Sequence, residues 1–484
     1  MIKNYVTYKE FGALGDGKTD DMPAIVACHE YANSHDLSVV ADEGEYYIGG
    51  RALTAVIMTD TDFGKARFII DDRNLESINQ SCFKVSTKAE RFTPEIASLE
   101  HNQKKIEFPY KGNYYVRVFS DKKVYIRKGL NKNNGTDASD CFIVDESGNI
   151  KCGINWNHGN ITKAYAFSVD DKPITVQGGY FTTVSNQCES KYNYHSRNID
   201  ISRSNVTVQN LTHFVTGEAC HGAPYSGFIT VSECAGVTIR NCRLTPHKTY
   251  FTESQIPGEM VPMGSYDLNC TAVIGLRLEN ITQSVDILDT RYWGLMGSNF
   301  CKNVSLSECI MSRFDAHCGV TGCKIINCTF GHMGINIIGF GDFLIQNTTV
   351  INRHFVNFRD DYGANFNGRL TIRNCVWKPL GDKHNSYCVF RAENTGDHDF
   401  GYPCIMAESI DIDGLLIDDG EIADFSDIVM FCDYDSNFSS EKPYPYGTPN
   451  MVRAKVYTKT GRKITAFKNE QLYKNTKLIM ANVL

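Results

Sequence analysis

LSECIMSRFDAHCG (306–319), IINCTFGHMGINIIG (325–339), IQNTTVINRHFVNFRDDYG (345–363) and IRNCVW (372–377) restate one short theme within Val285–Trp377. Each begins with an apolar triplet ending in Asn or Glu followed by Cys or Thr. The first three then run into a stretch holding Asp, His or Arg. With Cys309, Cys328, Thr348 and Cys375 taken as equivalent, the steps are 19, 20 and 27 residues. IRNCRLTPHK around Cys242 and RLENITQSVDILDTRYWG around Asn280 are looser versions. A period near twenty with strand-like triplets and small corner residues is the mark of a solenoid. The strand content makes it an all-β chain, a parallel β-helix. Successive rungs stack about 4.8 Å apart, so equivalent residues form ladders. The Asn/Cys/Thr position is expected to form an inward ladder of small side chains.

The residues after that position would share one face: Asp289, Arg291 and Trp293, then Arg313, Asp315 and His317, then His332, then Arg353, His354, Arg359 and Asp361. Any one of them also reads as a solvated turn residue. Their recurrence in adjacent rungs argues for a groove of alternating charge with aromatics, which suits a sugar chain. In SRFDAHCG, alternation puts Arg313, Asp315 and His317 on one side, with Phe314 and Ala316 on the other. A long excursion, TPHKTYFTESQIPGEMVPMGSYDLN (245–269), offers His247, Lys248, Tyr250, Tyr266 and Asp267 beside this face. Long loops on a regular scaffold tend to carry function.

Composition narrows the classes. The 484 residues exceed a usual single domain, but solenoids grow by addition. A net charge of −7 gives no basic field for nucleic acid, though Arg and Lys could still hold an acidic polysaccharide locally. No apolar run of membrane-spanning length is present. The N-terminus, MIKNYVTYKEFGALGDG, lacks an apolar signal core and a small-residue cleavage site, which predicts a cytoplasmic protein, or an extracellular one if the sequence is a trimmed piece. Eighteen cysteines, many in predicted strands, read as buried free thiols, with pairing between rungs the alternative. Cys318 and Cys323 have no partner pair that would make a metal site. A homo-oligomer is compatible with all of this.

Upstream, YVTYKEFGALGDGKTDD (5–21) passes from an alternating strand into a sharp turn at Asp16-Gly17. A helix follows, capped by Thr19 or Asp20, with Pro23 in its first turn and Ala24, Ile25, Cys28 and Tyr31 on its apolar face. FGALGDGKTDDMPAI (11–25) resembles the F-G-A-x-G-D-G-x-T-D-D-x-x-A-[IL] signature of the pectate-lyase-like, single-stranded right-handed β-helix superfamily. That superfamily includes polygalacturonase-related glycosidases, lyases, epimerases and phage tailspikes. The resemblance implies a right-handed parallel β-helix with an N-terminal capping helix. It is carried by the motif over residues 5–50 and by rung pattern alone over about 170–430. The expected layout is a cap with first strands at 1–50, an inserted β-rich subdomain at 51–138, the β-helix core at 139–430, and C-terminal loops and closing strands at 431–484.

Glycoside hydrolysis needs two carboxyl groups about 5 Å apart for retention, or about 6.5–9.5 Å apart for inversion. Asp315 is the foremost catalytic candidate, with Asp289 one rung and Asp361 two rungs away. Asp361 is preferred to Asp360 because Asp-Tyr-Gly begins a turn. His317, Arg313, Arg291, Trp293, His332, Arg359, His354, His247 and Asp267 are the candidate substrate-binding residues. The polygalacturonase pattern itself fails, since Gly331-His332-Met333 is a broken G-H-G and no N-x-D or R-x-K stands in place. The expectation is a glycoside hydrolase acting on an oligo- or polysaccharide without a cofactor. A lyase or epimerase is the chemical alternative, and only there would Ca²⁺ enter, held by the Asp cluster. A non-catalytic glycan-binding or tailspike-type protein is the alternative of another class.

Overall fold

In the computed structural model, residues 4–126, 133–219, 222–254, 256–359, 365–381, 386–392, 404–433 and 446–481 are described. Their strands are short and alternate inward apolar with outward polar residues, so each buries one side and stacks in parallel on the rung before. One ladder runs the length of the solenoid through Val176, Val208, Ile239, Leu278, Leu306, Ile325, Ile345, Ile372, Ile412, Ala454 and Met480. Near the N-terminal end the inward column is aromatic: Tyr46, Phe68 and Phe181 stack with ring centroids 5.3 and 4.7 Å apart. The chain is a right-handed parallel β-helix, as its sequence predicts.

The Asn-Cys theme has a double role. Cys242, Cys309, Cys328, Thr348 and Cys375 are buried as expected. The Asn or Glu before each points the other way. Asn241, Asn280, Glu308, Asn327, Asn347 and Asn374 all take left-handed backbone with φ between 49° and 56°. Asn tolerates that conformation better than other side chains with a Cβ. The column is also bonded along itself, since the Asn280 amide donates to Asn241 at 3.0 Å and that of Asn347 to Asn327 at 3.1 Å. Cys82, Cys141, Cys234, Cys242, Cys270, Cys301, Cys309, Cys323, Cys328 and Cys375 are buried free thiols.

The helix Met22–His35 covers the N-terminal end with Met22, Ile25, Cys28, His29 and Ala32 buried. Tyr31, expected on that face, is instead exposed and stacks on His35. Neither Thr19 nor Asp20 is the N-cap; that position is Asp21, whose carboxylate accepts from the Leu14 and Gly15 amides at 2.7 and 3.1 Å. Asp16 likewise accepts from the amides of Lys18 and Thr19.

The subdomain limits differ from those expected. Ala55–Ile57, Thr61–Asp62, Arg67–Asp71 and Phe83–Val85 are rung strands paired in parallel. The inserted sheet is antiparallel and later, built from Tyr114–Val124, Thr136–Val144, Ile150–Lys151 and Ile161–Ser168 around Val116, Val118, Phe142 and Val144. KAYAFS (163–168), inside the range expected for the β-helix core, pairs antiparallel with Tyr114–Phe119 because its alternation suits either partner. Rungs resume at Ile174–Gln177. At the far end Met451–Thr458 and Lys477–Ala481 are further rungs. Of the C-terminal loops expected within 431–484, residues 434–445 fall outside the described residues. No helix among the described residues is long and apolar enough to cross a membrane.

Candidate functional site

Two adjacent columns run side by side through the middle rungs. Met296, Phe314, Ile335, Val356, Phe390 and Phe431 point into the core. The residues one step along, Gly297, Asp315, Asn336, Asn357 and Arg391, point outward and form the floor of the candidate site. Phe314 and Ala316 are core residues, as alternation requires.

Asp315 is fully buried beneath this face. Its carboxylate is 2.7 Å from the Arg313 guanidinium and 2.8 Å from that of Arg359, and it accepts the Tyr266 hydroxyl proton. Burial pushes the Asp315 carboxyl up. Arg313 and Arg359, then His317 and Tyr266, more than offset that, so its pKa lies below the ordinary carboxylate range. Tyr266 reaches it from the long 245–269 excursion, which folds as a hairpin pairing Tyr250–Glu253 with Met260–Met263. Glycine at 297 makes room: a Cβ there would stand 2.7 Å from the Tyr266 ring. Gly294 does the same for Arg313, whose side chain lies 2.8 Å from where a Cβ would be.

Beside the clamp opens a pocket of about 360 Å³. Its cationic wall is Arg313, Arg353, Arg359 and Arg391; His332, His354, Met333, Asn336, Asn352 and Asn357 complete it. No carboxylate is part of this described lining. Of the expected site residues, Arg313, His332, His354 and Arg359 therefore meet here over Asp315. Tyr266, which the long excursion offers, clasps Asp315. Arg391, hidden by the loose sequence period beyond Trp377, and the three asparagines within the repeat are additions. Their signal was alternation within SYCVFR and the ladder equivalence of Asn336 and Asn357.

The remaining expectations fare differently. Asp289 does not share a ladder with Asp315; the residue one rung below Asp315 is Gly297. Asp289 sits in a turn and takes a two-pronged contact from the exposed Arg291, at 2.9 and 2.6 Å. That contact lowers its pKa to about 2. The two carboxyls thus do not form the one-rung pair expected, because the turn residues pair locally instead of extending the strand. Trp293 is half-buried with the Arg313 guanidinium 4.9 Å over its ring, so that face holds a cation within the protein. His317 faces Asn299 at 2.9 Å, just where the register shifts between Gly297 and Asn299. Both ring nitrogens of His332 face carbonyls, Ile287 at 3.0 Å and Tyr292 at 3.2 Å, so it staples the Asp289 turn to the rung. Asp361, with Asp360, lies outside the described residues.

His247 and Asp267 belong to a separate buried network. The Asp267 carboxylate is 2.9 Å from His213 and accepts the Thr245 amide at 2.8 Å. His247 lies 2.9 Å from Glu218, which also accepts from Tyr250 at 2.5 Å. Burial pushes His247 down, and Glu218 more than offsets it, raising its pKa. A third cluster, Ser120–His158–Asp140, has contacts of 3.0 and 2.9 Å, reminiscent of a hydrolytic triad. All three residues are sealed inside the protein, so a substrate has no approach.

The described members of the expected Asp cluster, Asp289 and Asp315, do not fit a Ca²⁺ site. Asp315 is already held by two arginines and a tyrosine, and the four-arginine wall repels a divalent cation. Among the described residues no group of three or more His, Cys, Asp or Glu is arranged to hold a metal ion.

No family model matches this chain. A KL64-specific capsule depolymerase of a Klebsiella phage is 27% identical over 121 residues, a match spanning 22% of this chain and only 11% of that protein. The tailspike of Pseudomonas phage phi297 superposes with a TM-score of 0.54 at 13% identity, covering 94% of this chain and 80% of that one. The tailspike of Acinetobacter baumannii phage AP22, solved with a capsular saccharide, gives 0.53 at 11% identity over 98% and 79%. At such identities the likeness is one of fold.

Proposed function

We propose that this chain is a carbohydrate-active protein that binds a polysaccharide across the outward face of the middle rungs and cleaves it there. The observation that carries this is the polar pocket built by four successive rungs over the Asp315 clamp. Sugar hydroxyls need many fixed hydrogen-bond partners on a rigid support, and a ladder of Asn, Arg and His provides them. The β-helix likeness to two phage tailspikes, and the local match to a capsule depolymerase, point to bacterial surface polysaccharide as the substrate class. On this reading the protein acts outside the cell, not in the cytoplasm.

For the reaction we favour hydrolysis, with its two carboxyls reassigned. All of Asp315's contacts are with donors inside the protein, so it acts as a positioning residue that aims Arg313 and Arg359. Direct proton transfer then falls to Asp361, preferred to Asp360, which follows Arg359 closely in sequence. Elimination is the second reading, favoured by the concentration of guanidinium groups around the pocket. The test is incubation with a panel of purified capsular and extracellular polysaccharides, read by size-exclusion chromatography and mass spectrometry. Shortened chains gaining one water per cut mean hydrolysis, and unsaturated ends without added water mean elimination. A panel neither shortened nor retained by the protein would sink the proposal.

A further inference from the structure

The excursion that delivers Tyr266 to Asp315 is closed at its root by charge. His247 stands just before its first arm, Tyr250–Glu253, and Asp267 just after its second, Met260–Met263. Both are buried, and His247 Nε2 lies 3.8 Å from an Asp267 carboxylate oxygen. That oxygen accepts no hydrogen bond among the described residues. Glu218 holds the root from the other side. Its carboxylate is 2.9 Å from His247 Nδ1 and accepts the Lys248 amide at 3.0 Å and the Tyr250 hydroxyl at 2.5 Å. The His247 carbonyl takes the Trp293 amide, and the Arg291 carbonyl that of Thr249, each at 2.9 Å. Two consecutive residues at the far end of the excursion thus face two ways: Tyr266 clasps Asp315, while Asp267 enters the histidine network.

This geometry calls for a cation on His247. A carboxylate only accepts, so Nδ1 carries a proton for Glu218. A neutral ring would then turn the Nε2 lone pair toward the Asp267 carboxylate, in a buried site that screens the repulsion poorly. A second proton, on Nε2, removes that conflict and sets one positive charge between two carboxylates. The other groups around the ring do not supply that charge. With its proton on Nδ1, His213 meets both Asp267 at 2.9 Å and the Thr183 hydroxyl at 3.0 Å. The Lys248 ammonium donates to the Glu218 backbone carbonyl at 2.8 Å, and Arg197 is paired with Asp72 at 3.3 Å. Tyr225 covers the ring face, stacked with centroids 4.5 Å apart. Burial pushes the His247 pKa down, and Glu218, then Asp267 and Asp72, more than offset it.

We infer that the His247 cation, bridging Glu218 and Asp267, is a pH-sensitive latch that holds the 245–267 excursion closed and so keeps Tyr266 on Asp315. Loss of the proton leaves two carboxylates facing an uncharged ring, and the root opens. The raised pKa sets the sign. The latch is fully closed below about 6.5, where an opened ring titrates, and is lost as pH rises through the higher closed-state value. The contacts carry the latch itself; its consequence for cleavage rests on the glycan reading above.

Hydrogen-exchange mass spectrometry on the full chain, from about pH 6 to about pH 9 and corrected for intrinsic exchange, reads the latch directly. Amides of 245–267 should lose protection as pH rises, by about 10-fold for each unit by which the closed-state pKa exceeds the opened one. Those of the rung strand Ile310–Ile326 should keep theirs. Glu218→Gln keeps an acceptor for Tyr250 but removes the charge, and should move the loss of protection to lower pH. His247→Gln should leave the excursion weakly protected at every pH, with circular dichroism melts verifying its fold. If His247→Gln does not fold, the Glu218→Gln shift decides alone. Protection that is flat with pH in the wild-type chain overturns the inference, as does a transition that Glu218→Gln leaves in place. Where the polysaccharide panel is cleaved, the rate should fall through the same transition, and Glu218→Gln should move both together. A rate that stays flat overturns the link to Asp315 and leaves the glycan reading standing. A transition in a chain that neither binds nor cleaves polysaccharide upholds the latch, and the glycan reading falls.

Discussion

Asp140 and Asp315 are both fully buried carboxylates held by cations, and they differ in what lies beyond those cations. Asp140 meets Lys302 at 2.6 Å and His158 at 2.9 Å, and it also accepts the Asn155 and Trp156 amides. Lys302 belongs to the solenoid and the others to the inserted sheet, so the cluster fastens the two together. Every side chain in that ion cluster is sealed. At Asp315 the arginines have a second face, turned to an open pocket. The same chemistry serves as a fastener in one place and as a holder of ligand-facing groups in the other.

Breaking the fastener should have the largest effect. Asp140→Ala strands the Lys302 charge in an apolar interior and should cost about 3–5 kcal/mol in urea unfolding. A loss under about 1 kcal/mol would show that the insert is held some other way. Asp315→Asn should fall below it in stability, by about 1–2 kcal/mol, because pocket water can solvate the released arginines. Its larger effect should be on polysaccharide cleavage, with a drop of about 100-fold, the scale expected when supporting groups are misplaced. A stability loss matching that of Asp140→Ala would erase the distinction between the two sites.

Acid should probe the same contrast. His29, sealed beneath the capping helix, and His354, beside the pocket, are each pushed down to about 3, burial being the main cause. In the unfolded chain both would titrate near the usual 6.5. Their folded pKa values are depressed, so the unfolded state binds more protons between about 6.5 and 3. Stability should be full above that window and fall as pH drops through it. His29→Gln and His354→Gln should each flatten the melting-temperature slope there. A slope untouched by either substitution would contradict the burial argument. The smallest effect is expected from Asp289→Asn, whose exposed contact with Arg291 is of a kind worth under about 1 kcal/mol. Cleavage should be unchanged, and its collapse would restore Asp289 to the chemistry.

The fold was legible because the Asn-Cys theme encodes two requirements at once, a left-handed corner and a small buried neighbour. Asp315, Arg313, Arg359, His332 and His354 were legible as a group because alternation and rung spacing are local rules. Asp289 was misplaced because a turn can satisfy its own charges, and nothing in DTRYWG distinguishes that from a strand. Arg391, and the clasp of Tyr266 on Asp315, escaped because they depend on a 49-residue reach and on register shifts at Gly297/Asn299 and Met311/Arg313. Bulges of that kind add a residue to one strand only and leave no trace in the period.

The Asn corners recur once per rung, and each rung takes its hydrogen bonds from its immediate neighbours. Side chains that read a substrate therefore stand on a ruler with one mark about every 4.8 Å. Duplicating or losing a whole rung would move the Asp315 and Arg391 marks apart or together by one unit without disturbing the corners. Changing the 245–269 hairpin would alter what reaches over the marks without moving them. Such a scaffold can shift its reading frame on a repeating polymer in discrete jumps while its core is conserved.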